Sequence, residues 1–201
     1  MGRCGDSSRL ERKWGRVVIL TDREIIIALD SKQLFIDPRP APAVFSSSSV
    51  DLTLDDSGLV WDINAPMLVE LREGFKISSI ARHQKPVSIN PYRLEPKKFI
   101  LAWTHEKIKL PVLSRLAARV EGKSSLARLG LGVHINAPTI HSGFPSEQQP
   151  PQPIQLEIFN YSEIAFNLYS GMRVCQLIIE QTFGTPDQAY QGQFSQQGPQ
   201  S

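Results

Sequence analysis

The run EGKSSLARLGLGVHINAPTIHSGF, residues 121–144, concentrates side chains that can do chemistry. Ser124 and Ser125 offer hydroxyls, and backbone N–H groups in a tight turn can form a concave anion site. Arg128 presents a planar fork of donors matched to phosphate oxygens, and Lys123 adds a point charge. Together they can cradle a polyphosphate without a Walker loop. The competing reading is an ordinary helix start, with Ser124 as cap and Arg128 in water. Residue types alone leave both open.

Glu157 is the second candidate. In PIQLEIFN, residues 153–160, the period of two puts Ile154, Leu156 and Ile158 on one strand face and Gln155, Glu157 and Phe159 on the other. A carboxylate there either meets water or lines a pocket, and in a pocket it can shuttle protons. The four histidines, His83, His105, His134 and His141, make no recognised metal motif, although His134 and His141 can meet across a turn. Several familiar sites are missing: G-x-x-x-x-G-K-[ST], the G-x-S-x-G elbow, and the zinc deaminase pairing of H-x-E with P-C-x-x-C.

These residues need a frame, and the pattern predicts a β one. LTDREIIIALDSKQL reads as the one clear helix, capped by Thr21 or Asp22, with Ile25, Ile26 and Leu29 sharing an apolar face. IDPRPAPAVF is expected to be an extended connector, because its alternate prolines fix φ. Short runs then read as strands: SVDLTL, LVWDI, MLVELR, KFILAWTHEKIKL, LGVHINA, IQLEIFN, IAFNLYS and RVCQLIIEQ. SLARLGLG fits one or two helical turns among them. Many short strands and one early helix point to a mainly β sandwich or distorted barrel, and the lack of βαβ alternation argues against a Rossmann sheet.

The totals bound the rest. A chain of 201 residues, 41% hydrophobic and 21% charged, suits one globular domain. No apolar run reaches the roughly 18 residues that span a bilayer, and no secretory signal is legible. A net charge of +2 without a basic stripe gives no reason to expect nucleic-acid binding. Cys4 and Cys175 support neither a disulfide framework nor a zinc site, so a reducing cytoplasm is the simplest setting. Residues 1–17 read as a flexible N-terminal extension, 18–183 as the domain, and 184–201 as a flexible tail. That tail, with six glutamines, is either a disordered end or a lid that orders over a ligand.

The segments LTDREIIIALDSKQLFIDPRP, SSVDLTL, EGKSSLARLGLGVH, IQLEIFN and GMRVCQL, in this order, resemble the dCTP deaminase family of the dUTPase-like superfamily. The likeness covers about residues 19–183, with an echo in AYQGQ. It implies a distorted β-barrel or jelly-roll of the dUTPase-like type and a homotrimer with sites between subunits. It also implies hydrolysis of dCTP to dUTP and ammonia without zinc, with Mg²⁺ carried on the triphosphate. By position, Glu157 matches the general base. Ser124 matches the serine that places the water and touches nucleotide. Lys123, Ser125, Leu126, Ala127 and Arg128 match the triphosphate turn. Ile135 and Ala137 match the base-reading strand, Gln155 and Leu156 fall among the nucleotide-binding positions, and Gln193 matches a glutamine that closes over the nucleotide.

The departures lie around sugar and phosphates. Where the family has an Arg, an apolar residue, an Asp and Pro-Gly, this chain has Thr139, Ile140, His141, Ser142 and Gly143. His141 can still hydrogen-bond a sugar hydroxyl, while loss of the Asp argues against diphosphate cleavage of the dUTPase kind. Ala189 stands where relatives have a lysine, and PSEQQPPQP (145–153) is expected to be an inserted, exposed loop. Two alternatives stay open beside deamination: a nucleotide-binding homologue with altered catalysis, and a dUTPase-like or bifunctional diphosphatase.

Overall fold

A computed structural model describes residues 18–62, 64, 68–134 and 136–188. The first helix, α1, spans Asp22–Asp30. Thr21 is its extended N-cap, and the Thr21 hydroxyl donates to the Glu24 carboxylate, holding that carboxyl below its usual range. Ile25, Ala28 and Leu29 are buried at the i, i+3, i+4 spacing of one helical face. Ile26, expected on that face, is 39% exposed, and Ala28 takes its place.

The strands are β1 (Val18–Ile19), β2 (Phe35–Asp37), β3 (Phe45–Ser46), β4 (Ser49–Trp61), β5 (Gln84–Ser88), β6 (Tyr92–Leu94) and β7 (Phe99–Lys109). They continue with β8 (Leu116–Gly122), β9 (Leu131–Val133), β10 (Thr139–Ile140), β11 (Gln152–Asn160), β12 (Phe166–Leu168) and β13 (Arg173–Gln181). A four-residue helix, α2 (Ser124–Ala127), joins β8 to β9. One antiparallel sheet runs β10-β8-β13-β4-β7-β11-β9, and β6 with β12 forms a separate ribbon. The long strand β4 belongs to both halves. Its start pairs with β13 and its end with β5, while β7 lies along it across a bulge between Leu54 and Gly58.

The sheet curls enough to bring β8 onto β9: a Cβ placed on Gly122 of β8 would lie 3.6 Å from Val133 Cβ of β9. Inside the curl sit Leu52 and Leu54, Ile100 and Ala102, Ile154, Leu156 and Ile158, and Leu177 and Ile179, all fully buried or nearly so. Each of these leucine and isoleucine side chains contributes about 1.5–3 kcal/mol on leaving water.

The mainly β expectation holds, with several differences of detail. SVDLTL and LVWDI are one strand, β4, because Gly58 is a crossing point rather than a turn. A Cβ there would fall 2.9 Å from Ile100 Cδ1 and 3.0 Å from Leu101 O. MLVELR forms no strand over its described residues 68–72, and Leu68 and Leu71 are 90% and 79% exposed. Alternation without a partner edge does not make a strand. IAFNLYS contracts to β12, and LGVHINA stops at Val133. The proline connector also departs from a fully extended path, turning into a 3₁₀ turn at Pro42–Val44. Strand β8 was missed, although Leu116, Ala118 and Val120 alternate with Ala117, Arg119 and Glu121; it pairs with β13 over its whole length.

Candidate functional site

Strand β11 alternates as expected. Ile154, Leu156 and Ile158 enter the core, while Gln155, Glu157 and Phe159 are part-exposed on the opposite face. Leu156 therefore offers a ligand only its backbone. On the β7 side, Leu101 stands opposite Glu157, with Trp103 opposite Gln155 and Phe99 opposite Phe159. On the β9 side, the His134 N–H donates to the Glu157 carbonyl at 2.8 Å. Register thus places Leu101, Glu157 and His134 in one row across three chain segments.

His134 has φ +50°, a left-handed conformation uncommon for a non-glycine residue, and it ends β9 there. Its ring is buried, and Nδ1 lies 2.7 Å from Glu157 Oε2. The contact has ion-pair distance but not the alignment of a hydrogen bond. Among the described residues, both ring nitrogens and Oε2 are buried without an aligned hydrogen-bond partner, as are Trp103 Nε1 and Ser142 Oγ. Buried polar atoms left unmade cost free energy. Three of those five atoms belong to the His134–Glu157 pair.

The 123–130 turn sits beside this row. Lys123 is the extended N-cap of α2, and its carbonyl accepts from Leu126 and Ala127. Ser124 is therefore the first helical residue and not the cap. Ser124, Ser125, Ala127 and Arg128 are exposed, while Leu126 packs against the core. Among the described residues Arg128 has no ion-pair partner. The Lys123 ammonium is engaged, 2.5 Å from Asp51 Oδ1. Gly130 closes the turn at φ +90°, where a Cβ would lie 2.9 Å from Ser162 Cβ, and its carbonyl accepts from Tyr161 at 2.8 Å. Asn160 locks that same corner: fully buried, its amide donates to the Leu94 and Ile164 carbonyls and its Oδ1 accepts from Ser162.

The turn and Glu157 are thus linked through β9 and the 160–162 corner. Among the described residues no hydrogen bond joins Ser124, Ser125 or Arg128 to Glu157. Of the other expected site residues, Ala137 is exposed in the loop after β9, not in a strand, and His141 is exposed at the turn whose Phe144 N–H donates to the His141 carbonyl. Ile135, Ala189, Gln193 and the extension 1–17 lie outside the described residues. The 145–153 loop is pinned rather than free: Lys109 Nζ donates to the Glu147 and Gln149 carbonyls at 2.8 Å, Glu147 Oε1 accepts from the Val112 N–H, and residues 152–153 already belong to β11.

Sequence reasoning overlooked Asp51, Glu106 and Asn160. Glu106 accepts from the Thr53 N–H and hydroxyl, both at 2.8 Å. Cys175 is fully buried opposite Gly122, and burial first, then the Glu106 and Asp51 carboxylates, push its thiol pKa far up. It is a thiol in the wall of the fold, not a nucleophile. A cleft of about 490 Å³, lined by Trp61, Lys85, Tyr92, Arg93 and Lys98 among others, is bordered by Phe99 but not by Glu157 or the turn.

The model of the dCTP deaminase-like family matches residues 19–182. The chain belongs to the dCTP deaminase-like family. Among curated relatives it is similar to the "dCTP deaminase, dUMP-forming" of Persephonella marina, 36% identical over 90% of this chain and 93% of that one. It is also similar to the protein of the same description from Methanosphaera stadtmanae, 33% identical over 87% and 84%. Among solved structures, the 2′-deoxycytidine 5′-triphosphate deaminase of Agrobacterium tumefaciens superposes with a TM-score of 0.61 at 19% identity. That match covers 82% of this chain and 48% of the other, and it shows the shared fold. This dCTP deaminase-like chain is a mainly β, curled antiparallel half-barrel with few short helices. Among the described residues no helix is long and apolar enough to cross a membrane.

Proposed function

We propose that this chain deaminates dCTP hydrolytically, with Glu157 as general base. The observation that carries this reading is the Glu157–His134 pair: Glu157 stands part-exposed on the outward face of β11, with its Oε2 held 2.7 Å from Nδ1 of the buried His134. Glu157 takes a proton from water as its oxygen attacks cytosine C4. It then passes protons to ring N3 and to the departing amine, so that dCTP and water give dUTP and ammonia. General base catalysis supplies roughly 10²–10⁴-fold, and fixed donors around the tetrahedral carbon add electrostatic stabilisation. Ser124 orients the water, and Ser125 with Arg128 receives phosphate oxygens. His141, exposed on its turn, faces the sugar.

Among the described residues no three His, Cys, Asp or Glu side chains group to hold a metal by themselves. The fit is with Mg²⁺ arriving on the triphosphate, beside the exposed Ser124, Ser125 and Arg128. Bound there, Mg²⁺ supplies charge neutralisation of the phosphates. Zinc has no assigned part. A homotrimer with sites between subunits belongs to the same proposal.

A second reading is favoured by a specific observation: the relatives named above are described as dUMP-forming. In that case diphosphate would leave after or with deamination, against the expectation from His141. Incubation with dCTP and Mg²⁺, with ammonia, diphosphate and nucleotide products separated, tests both. Ammonia with dUTP is the expected result. Ammonia with dUMP and diphosphate establishes the second reading, and no ammonia from dCTP, dCDP, dCMP or CTP defeats both.

A further inference from the structure

Three strands meet under the exposed 124–128 turn. Asp51 of β4 is opposite Gln176 of β13, and Cys175 of β13 is opposite Gly122 at the end of β8. Into this junction the Asp51 carboxylate, 12% exposed, brings Lys123 Nζ to 2.5 Å from Oδ1 and Arg173 Nη1 to 3.4 Å from Oδ2. Lys123 is itself only 27% exposed. The neighbouring carboxylate, Glu106, is occupied by the Thr53 N–H and hydroxyl and leaves Lys123 to Asp51.

We propose that Asp51 is a positioning residue, and that Lys123 is an anchor for the turn and not a phosphate ligand. The logic is geometric. Lys123 is the residue whose carbonyl closes α2 by accepting from Leu126 and Ala127. A side chain tied down at that residue fixes where the helix begins, and with it the directions of Ser124, Ser125 and Arg128. Prolonged contact between Lys123 and a phosphate would require releasing Asp51, a little-exposed carboxylate, to a single more distant guanidinium. Removing one partner of such a pair leaves an uncompensated charge and is costly. Arg128, exposed and unpaired among the described residues, has no such competing commitment. The inference rests on the functional reading above only in assuming that the turn receives phosphates.

The test is equilibrium binding of dCTP and dCDP to the full chain, with KM and kcat measured on dCTP. An anchor acts on the turn as a whole, so Asp51→Asn should weaken dCTP and dCDP by the same factor, about tenfold, with kcat changed less than KM. Asp51→Glu should restore binding, Lys123→Met should match Asp51→Asn, and the double variant should add little to either. Arg128→Gln, removing a direct phosphate contact, should weaken dCTP more than dCDP. A Lys123→Met loss that grows from dCDP to dCTP, or wild-type binding in Asp51→Asn, overturns the proposal. If Asp51→Asn does not fold, the Lys123→Met and Arg128→Gln comparison decides alone. Because binding is the readout, nucleotide binding without ammonia release would defeat the deaminase reading and leave the anchor standing. A chain that binds neither nucleotide defeats both.

Discussion

The 123–130 turn and strand β11 hold the two halves of the proposed chemistry in opposite ways. The turn is local: contiguous residues, exposed serines and arginine, and one anchored lysine. Strand β11 is non-local: Glu157 has its place only because β7 fixes one side of it and β9 the other. Groups that grip a flexible polyphosphate tolerate a pliable surface. A base that must meet one carbon tolerates little displacement, and a doubly paired strand supplies the rigidity.

The sharpest way to break this contrast is Glu157→Gln. Ammonia release should fall by about 10²–10⁴-fold, while the urea midpoint stays where it was; a large loss of stability would mean that the carboxylate is structural. Ile158→Ala strikes the same strand from its core side and should cost about 2–5 kcal/mol of unfolding free energy, read in urea melts. Gly130→Ala tests the link between the regions. Left-handed backbone and the contact with Ser162 should cost about 1–3 kcal/mol and weaken nucleotide binding together with stability. Arg128→Gln should raise the KM for dCTP about tenfold without moving the melt. The smallest effect lies beneath the turn, at Cys175. Its thiol pKa is raised in the fold, so the stability it contributes is complete below its ordinary value of 9.0 and is lost as pH rises above that value. Urea midpoints at pH 8 and 10 should diverge in the native chain and diverge less in Cys175→Ala.

Legibility in the sequence follows the same division. KSSLAR announced a helical turn rich in hydroxyls and cations because its neighbours in sequence are its neighbours in space. The alternation of PIQLEIFN placed Glu157 on its face correctly, since period two is a local property. What could not be read were the partners. Asp51 is 72 residues from Lys123 along the chain, so its claim on that ammonium left no trace near the motif. His134 looked like mid-strand, and nothing around it signals a left-handed backbone. MLVELR carried strand-like alternation, yet the fold gives it no edge to join. SVDLTL and LVWDI looked like two strands for the converse reason: the side chains that require a glycine at position 58, Ile100 and Ile89, are distant in sequence.

Strand β4, thirteen residues long and shared by both halves of the sheet, also governs how the molecule comes apart. Neither half can peel away while β4 keeps its ladder with the other, so loss of the phosphate-side pairing and loss of the Glu157-side pairing become one event. Amides on β13 and on β11 should therefore exchange with deuterium at a common, global rate, and partial unfolding that spares one site while dissolving the other is denied by the wiring of the chain.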